Sequence, residues 1–106
     1  MFGIMQKLFG GSTAAVDIKS LISNGAKLID VRTPQEFAEG YAEGAINIPL
    51  QALQHHLPEL KRLNVPIVAY CRSGNRSGIA AQILKANGVE AYNAGSLGQV
   101  NRQLKG

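Results

Sequence analysis

The sequence predicts a layered α/β domain, and three observations carry that reading. Short apolar runs alternate with capped segments of helical periodicity from residue 14 onward. One run, Pro66 to Tyr70, is apolar almost without interruption, as in a central strand covered on both faces. The 106 residues, 45% of them hydrophobic, fit one compact core.

The elements follow in order. Ala14 to Val16 is expected to open the domain as a short strand. Asp17 then caps a helix carrying Ile18, Leu21 and Ile22, which Asn24-Gly25 ends. Lys27 to Val31 reads as a strand entering the core. Thr33, Pro34 and Glu36 combine a cap, a first-turn proline and a capping box, so a short helix starts there and closes at Gly40. Ala45 to Ile48 is a further strand, stopped by Pro49. Gln51 to Leu63 is helical with a break expected near Pro58, since proline lacks the N–H that a helix interior uses. After Pro66 to Tyr70 comes a loop from Cys71 to Arg76. A helix from Ser77 to Ala86 follows, with Ile79, Ala80, Ile83 and Leu84 on one stripe. Val89 to Tyr92 is the last strand and Leu97 to Leu104 the last helix. The chain divides into an N-terminal extension over 1–13 and a domain over 14–106, with no internal repeat or low-complexity segment.

Composition narrows the function classes. A single cysteine excludes an intrachain disulfide and a Cys-rich zinc site, and a lone thiol suits a reducing, cytoplasmic compartment. The net charge of +4 favours small anions or acidic partners. No Lys/Arg stripe with interleaved aromatics points to nucleic acid, and no run approaches the ~20 apolar residues of a membrane-spanning helix. Phe2, Met5 and Phe9 sit at helical spacing, but Gln6 and Lys7 interrupt what a signal peptide would keep apolar, so a short helix packed on the domain is expected there, with weak membrane-surface contact as the alternative. His55 and His56 are adjacent in a helical stretch and diverge by about 100°, which makes them surface residues and not metal ligands.

The informative stretch is Tyr70-Cys71-Arg72-Ser73-Gly74-Asn75-Arg76-Ser77-Gly78, where a buried strand gives way to a helix. In open α/β sheets that edge is where ligands bind. A helix start offers unpaired N–H groups and partial positive charge, and Gly74 lets the backbone curl so that those groups converge as an anion nest. A thiol at the mouth of such a nest, beside Arg72 and Arg76, has its thiolate favoured; such settings lower a cysteine pKa from ~8.5 to roughly 3.5–7.5. Arg76 reaches a ligand or ties the loop together, whereas Arg72 is either a substrate contact or a solvated cation. Ser73, Asn75 and Ser77 are turn or cap residues that also line the nest, and Ser77 is placed to cap the helix. Asp30 and Arg32 are read as an ion pair fixing the loop beneath the site, in preference to a general acid/base pair.

These residues resemble the rhodanese family. Leu28-Ile29-Asp30-Val31-Arg32, Glu36-Phe37, Gly40 and Gly44-Ala45-Ile46-Asn47-Ile48-Pro49 are similar to its N-terminal signature, and Cys71 to Ser77 to its active-site loop. The resemblance spans about Ala14 to Leu104. It implies a three-layer sandwich with a five-stranded, mainly parallel sheet flanked by helices. It also implies that Cys71 takes sulfur from thiosulfate or another small anionic donor, carries it as a persulfide, and gives it to cyanide or a thiol acceptor, a thioredoxin-like protein among the candidates. No cofactor is implied. The backbone of Arg72, Ser73, Gly74, Asn75, Arg76 and Ser77 would cradle the persulfide, with Arg72 or Arg76 holding the donor. Tyr41-Ala42 stands where many members have His and an aliphatic residue, and Gly95-Ser96 replaces a common Gly-Gly pair, with no Trp in the chain. Both departures bear on substrate preference.

Two rival readings use the same residues. A cysteine phosphatase or arsenate reductase shares the nest design, but phosphatase loops are one residue longer than the four that separate Cys71 and Arg76 here, and there is no second thiol for a reductase. A persulfide carrier or redox-sensing interaction module would keep the loop without turning over small molecules.

Overall fold

The computed structural model describes residues 16–105. Four strands, β1 (Lys27–Asp30), β2 (Ile46–Asn47), β3 (Ile67–Cys71) and β4 (Ala91–Ser96), form one sheet in the order β2-β1-β3-β4. Every pairing is parallel. Five α-helices surround it: α1 (Ile18–Ser23), α2 (Pro34–Ala38), α3 (Leu53–Leu63), α4 (Asn75–Ala86) and α5 (Leu97–Lys105), with a 3₁₀ turn at Leu50–Ala52 before α3.

Strand alternation splits the core into two halves and gives the three layers. On one face Ile29, Val31, Ile67, Ala69 and Cys71 pack against Leu53, Leu57 and Leu60 of α3 and Ala80, Ala81 and Leu84 of α4. On the other, Leu28, Val68 and Tyr70 pack against Ile18 of α1 and Val100 of α5, with Phe37 of α2 at the margin. β3 is buried along its whole length, as its unbroken apolar run requires. Each fully buried Ile or Leu here contributes roughly 1.5–3 kcal/mol of transfer free energy.

The sheet departs from the sequence expectations in several places. It has four strands among the described residues, not five. The N-terminal extension and most of the expected first strand lie outside those residues; Val16, the part inside, is in no strand, and its carbonyl accepts from Gln103 Nε2 at 3.0 Å. Gln103 Oε1 in turn accepts from the Ile18 amide at 2.9 Å, so one α5 side chain holds the entry to α1. α3 runs unbroken through Pro58. Pro58 sits on the solvent face, and Gln54, whose carbonyl would have received the missing N–H, is exposed as well, so the lost bond is not buried. β4 begins later and extends further than expected, to Ser96, and its pairing with β3 shifts register between Ala69 and Cys71. That bulge lets a polar, glycine-containing segment continue the strand.

The strand order creates a crevice at one edge of the sheet. The chain runs from β1 outward to β2, then returns to the other side of β1 to form β3. The crevice between the carboxyl ends of β1 and β3 is therefore the switch point where α/β sheets bind ligands.

Candidate active site

Cys71 is the last residue of β3 and is fully buried. The loop after it is shorter than expected, because α4 starts at Asn75, two residues before Ser77. Gly74 makes the turn with φ +97°, a conformation that β-carbon-bearing residues rarely adopt. The turn brings donors onto the sulfur: the Gly74 amide donates to Sγ at 3.0 Å and the Ser77 amide at 3.5 Å. Ser77 does not cap α4. It lies buried in the first turn, with its Oγ 3.4 Å from Sγ and 2.6 Å from Asn93 Oδ1 on β4.

Burial pushes the Cys71 thiol up, and hydrogen bonds from the Ser77 side chain and from the Ser77, Ser73 and Gly74 amides pull it down by more. The net result lies below the ordinary thiol value. The groups acting on the sulfur are thus mainly dipoles, as in the nest the sequence suggested, more than the two arginines it set beside that nest. Arg76 is engaged elsewhere: its two terminal nitrogens donate to Glu36 Oε1 at 2.7 Å and Oε2 at 3.1 Å. The same Glu36 completes the expected capping box with Thr33 at the start of α2. Arg76 foremost, with the Thr33 amide, holds the Glu36 carboxyl at about 2, well below its usual range. Arg76 accordingly ties α4 to α2.

Arg72, Ser73 and Asn75 are exposed. Arg72 lines an open cavity of about 340 Å³ with Arg32, Glu36, Glu39, Gly40 and Leu97. Arg32 follows β1 and Arg72 follows β3, so this cavity occupies the switch-point crevice.

Asp30 and Arg32 form the expected pair. Arg32 Nε lies 3.0 Å from both Asp30 carboxylate oxygens and its Nη2 2.7 Å from Oδ2, while Nη2 also donates to the Gly40 carbonyl at 2.6 Å. Both residues are buried. The guanidinium lies 5.9 Å from the centroid of the Tyr70 ring, and burial foremost raises the Tyr70 phenol. Asn47 Nδ2 closes the cluster on the carbonyls of Asp30 and Arg32. The pair thus fixes the β1 end and the Gly40 wall of the cavity, on the opposite sheet face from Cys71.

Sequence reasoning missed Asn93, and read Gly95 only as part of the Gly95-Ser96 departure. Asn93 Nδ2 donates to the Gly74 carbonyl at 3.0 Å, and its Oδ1 also accepts from the Gly95 amide at 3.0 Å. Asn93 does not signal itself locally, since its partners Ser77 and Gly74 lie 16 and 19 residues earlier in the chain. The two departures also find their places. Tyr41 is exposed and stacks on Phe37 with ring centroids 4.1 Å apart, while the buried Ala42 donates its amide to the Tyr70 hydroxyl. Ser96 and Gln99 exchange side-chain and backbone hydrogen bonds as a capping box at the start of α5, which a glycine could not supply. His56 pairs with Glu59 on the outer side of α3, and no His, Cys, Asp or Glu cluster of metal-binding size occurs among the described residues.

Residues 14–98 match the family described as Rhodanese-like domain. The chain is 49% identical over 69 residues to the uncharacterized protein YqhL of Bacillus subtilis (strain 168), covering 64% of this chain and 54% of YqhL. It is 37% identical over 71 residues to thiosulfate sulfurtransferase PspE of Escherichia coli (strain K12), covering 65% of this chain and 68% of PspE. A solved structure described as "rhodanese with anions from E. coli" superimposes with a TM-score of 0.66 at 33% identity, over 72% of this chain and 92% of that one. Against YqhL, the chain spans about half the length of its relative.

Proposed function

We propose, since this chain belongs to the Rhodanese-like domain family, that it moves sulfane sulfur from a small anionic donor such as thiosulfate to cyanide or a thiol through a persulfide on Cys71. The observation that carries this is the convergence of the Gly74 and Ser77 donors on one buried sulfur at the end of β3. Donors aimed at sulfur stabilise the thiolate before attack and the terminal sulfur anion after it, without a cation in contact.

In the first half-reaction the Cys71 thiolate attacks the outer sulfur of thiosulfate. A new sulfur–sulfur bond forms, the old one breaks, and sulfite leaves with the bonding pair. The total charge of −3 is conserved. In the second, cyanide or a thiolate attacks the terminal sulfur, and the Cys71 thiolate departs, ready for another cycle. Arg72, exposed on the crevice, attracts the anionic donor, and Arg32 on the opposite wall adds positive potential that Asp30 largely neutralises. A lone thiolate of this kind suits a reducing compartment such as the cytoplasm, with a thioredoxin-like protein as one possible class of thiol acceptor.

Intact-mass measurement after incubation with thiosulfate tests the reading. One added sulfur, ~32 Da, is expected on the wild-type chain, with thiocyanate released on adding cyanide; Cys71→Ser should show neither. A wild-type chain that takes up sulfur but yields no thiocyanate is a carrier. A chain that takes up none, or hydrolyses phosphate esters instead, is not a sulfurtransferase.

A further inference from the structure

The Asn93 carboxamide reaches the sulfur site from the neighbouring strand without touching the sulfur. Its Oδ1 has both lone pairs engaged, by Ser77 Oγ at 2.6 Å and the Gly95 amide at 3.0 Å. Its Nδ2 holds the Gly74 carbonyl at 3.0 Å. Gly78 leaves room for this, since a β-carbon there would come within 3.2 Å of Nδ2. Anchoring Gly74 from its carbonyl side keeps its amide aimed at Sγ.

Ser77 has one hydroxyl proton and three acceptors within reach: Asn93 Oδ1 at 2.6 Å, Cys71 Sγ at 3.4 Å and the Gly95 carbonyl at 3.5 Å. While the sulfur is neutral, the nearest acceptor takes the proton. Once the sulfur is anionic, a charge-assisted bond about twice as strong as a neutral one competes for it. The charged groups near the sulfur are Arg76, already engaged by Glu36 of α2, and exposed Arg72; β4 contributes none, and Asp30 and Arg32 lie on the other face.

We infer that Asn93 is a positioning residue: through the single proton of Ser77 and through Gly74, it sets how much negative charge Cys71 Sγ can hold. Its use in turnover rests on the sulfurtransferase reading above. Its effect on the thiol does not.

The test is a double-mutant cycle on the pH dependence of Cys71 alkylation by iodoacetamide, with substitutions at 93 and 77. Alone, Ser77→Ala raises the thiol pKa. Asn93→Ala in the Ser77→Ala background raises it further, by loosening Gly74. With Ser77 present, Asn93→Ala should raise it less by about one pH unit, a tenfold difference in thiolate fraction, because the freed hydroxyl turns to the sulfur. Asn93→Asp, nearly isosteric, should couple with the opposite sign, since a carboxylate grips the Ser77 proton harder. This second pair decides the matter if Asn93→Ala does not fold. Equal shifts with and without Ser77 overturn the inference and leave Asn93 a brace. Alkylation involves no sulfur transfer, so a coupling found in a chain that forms no persulfide would sink the transfer reading alone.

Discussion

Asp30 and Cys71 are both fully buried, at the carboxyl ends of adjacent strands, yet they hold negative charge by different means. Asp30 faces a complete cation, with the Arg32 guanidinium fastened to both its oxygens. Cys71 is held mainly by dipoles, three amides and a hydroxyl whose proton has another acceptor, with the Arg76 charge acting on it as well. The pairing of full charges suits a carboxylate with a structural task. On the sulfurtransferase reading proposed above, a sulfur that attacks, carries and releases needs its charge held more loosely, by groups that do not collapse onto it. Asp30 therefore reads as architecture and Cys71 as chemistry, although neither sees solvent.

The largest expected effect breaks the first half of this contrast. Asp30→Ala leaves the Arg32 guanidinium buried without its partner and should cost about 3–5 kcal/mol in urea denaturation. A cost below about 1 kcal/mol would mean that Arg32 finds water, and that the pair does not hold the crevice wall.

Glu36 sharpens the contrast, because its pair with Arg76 is partly exposed, with side-chain exposures of 22% and 34%. Glu36→Gln keeps an N3 residue suited to the capping box and removes only the ion pair, so a loss of roughly 0.2–1 kcal/mol is expected near neutral pH. The pH dependence should have a definite sign. The folded Glu36 carboxyl titrates at about 2 against an ordinary 4.5, so as pH falls the unfolded chain takes up the proton first. The stability this group adds is complete above about pH 4.5 and drains away toward pH 2. The difference between wild type and Glu36→Gln should shrink across that window. A difference that stayed constant through it would show that the pair contributes nothing.

Much of this was legible in the sequence because its causes are local. The Thr33, Pro34 and Glu36 start of α2 depends on residues three apart, and the buried run of β3 on composition alone. The nest was legible for the same reason: strand end, Gly74 and helix start follow one another in the chain. What escaped depends on partners distant in sequence. Ser77 looks like a cap because serine often is one, but a strand 16 residues later supplies its acceptor. Asn93-Ala94-Gly95-Ser96 has no apolar alternation, so the pattern alone ends the strand at Tyr92; its pairing comes from the bulged register with β3. Arg76 looks like a cation for the sulfur, whereas Glu36, 40 residues earlier, claims it.

Following the alkylation rate of the wild-type chain across pH tests most directly whether the hydrogen-bond donors of the loop, and not Arg72, lower the Cys71 thiol. The midpoint should fall below the ordinary thiol value of ~8.5 and stay there in Arg72→Gln. A midpoint at or above that value, or one that returns to it when Arg72 is neutralised, would contradict the account.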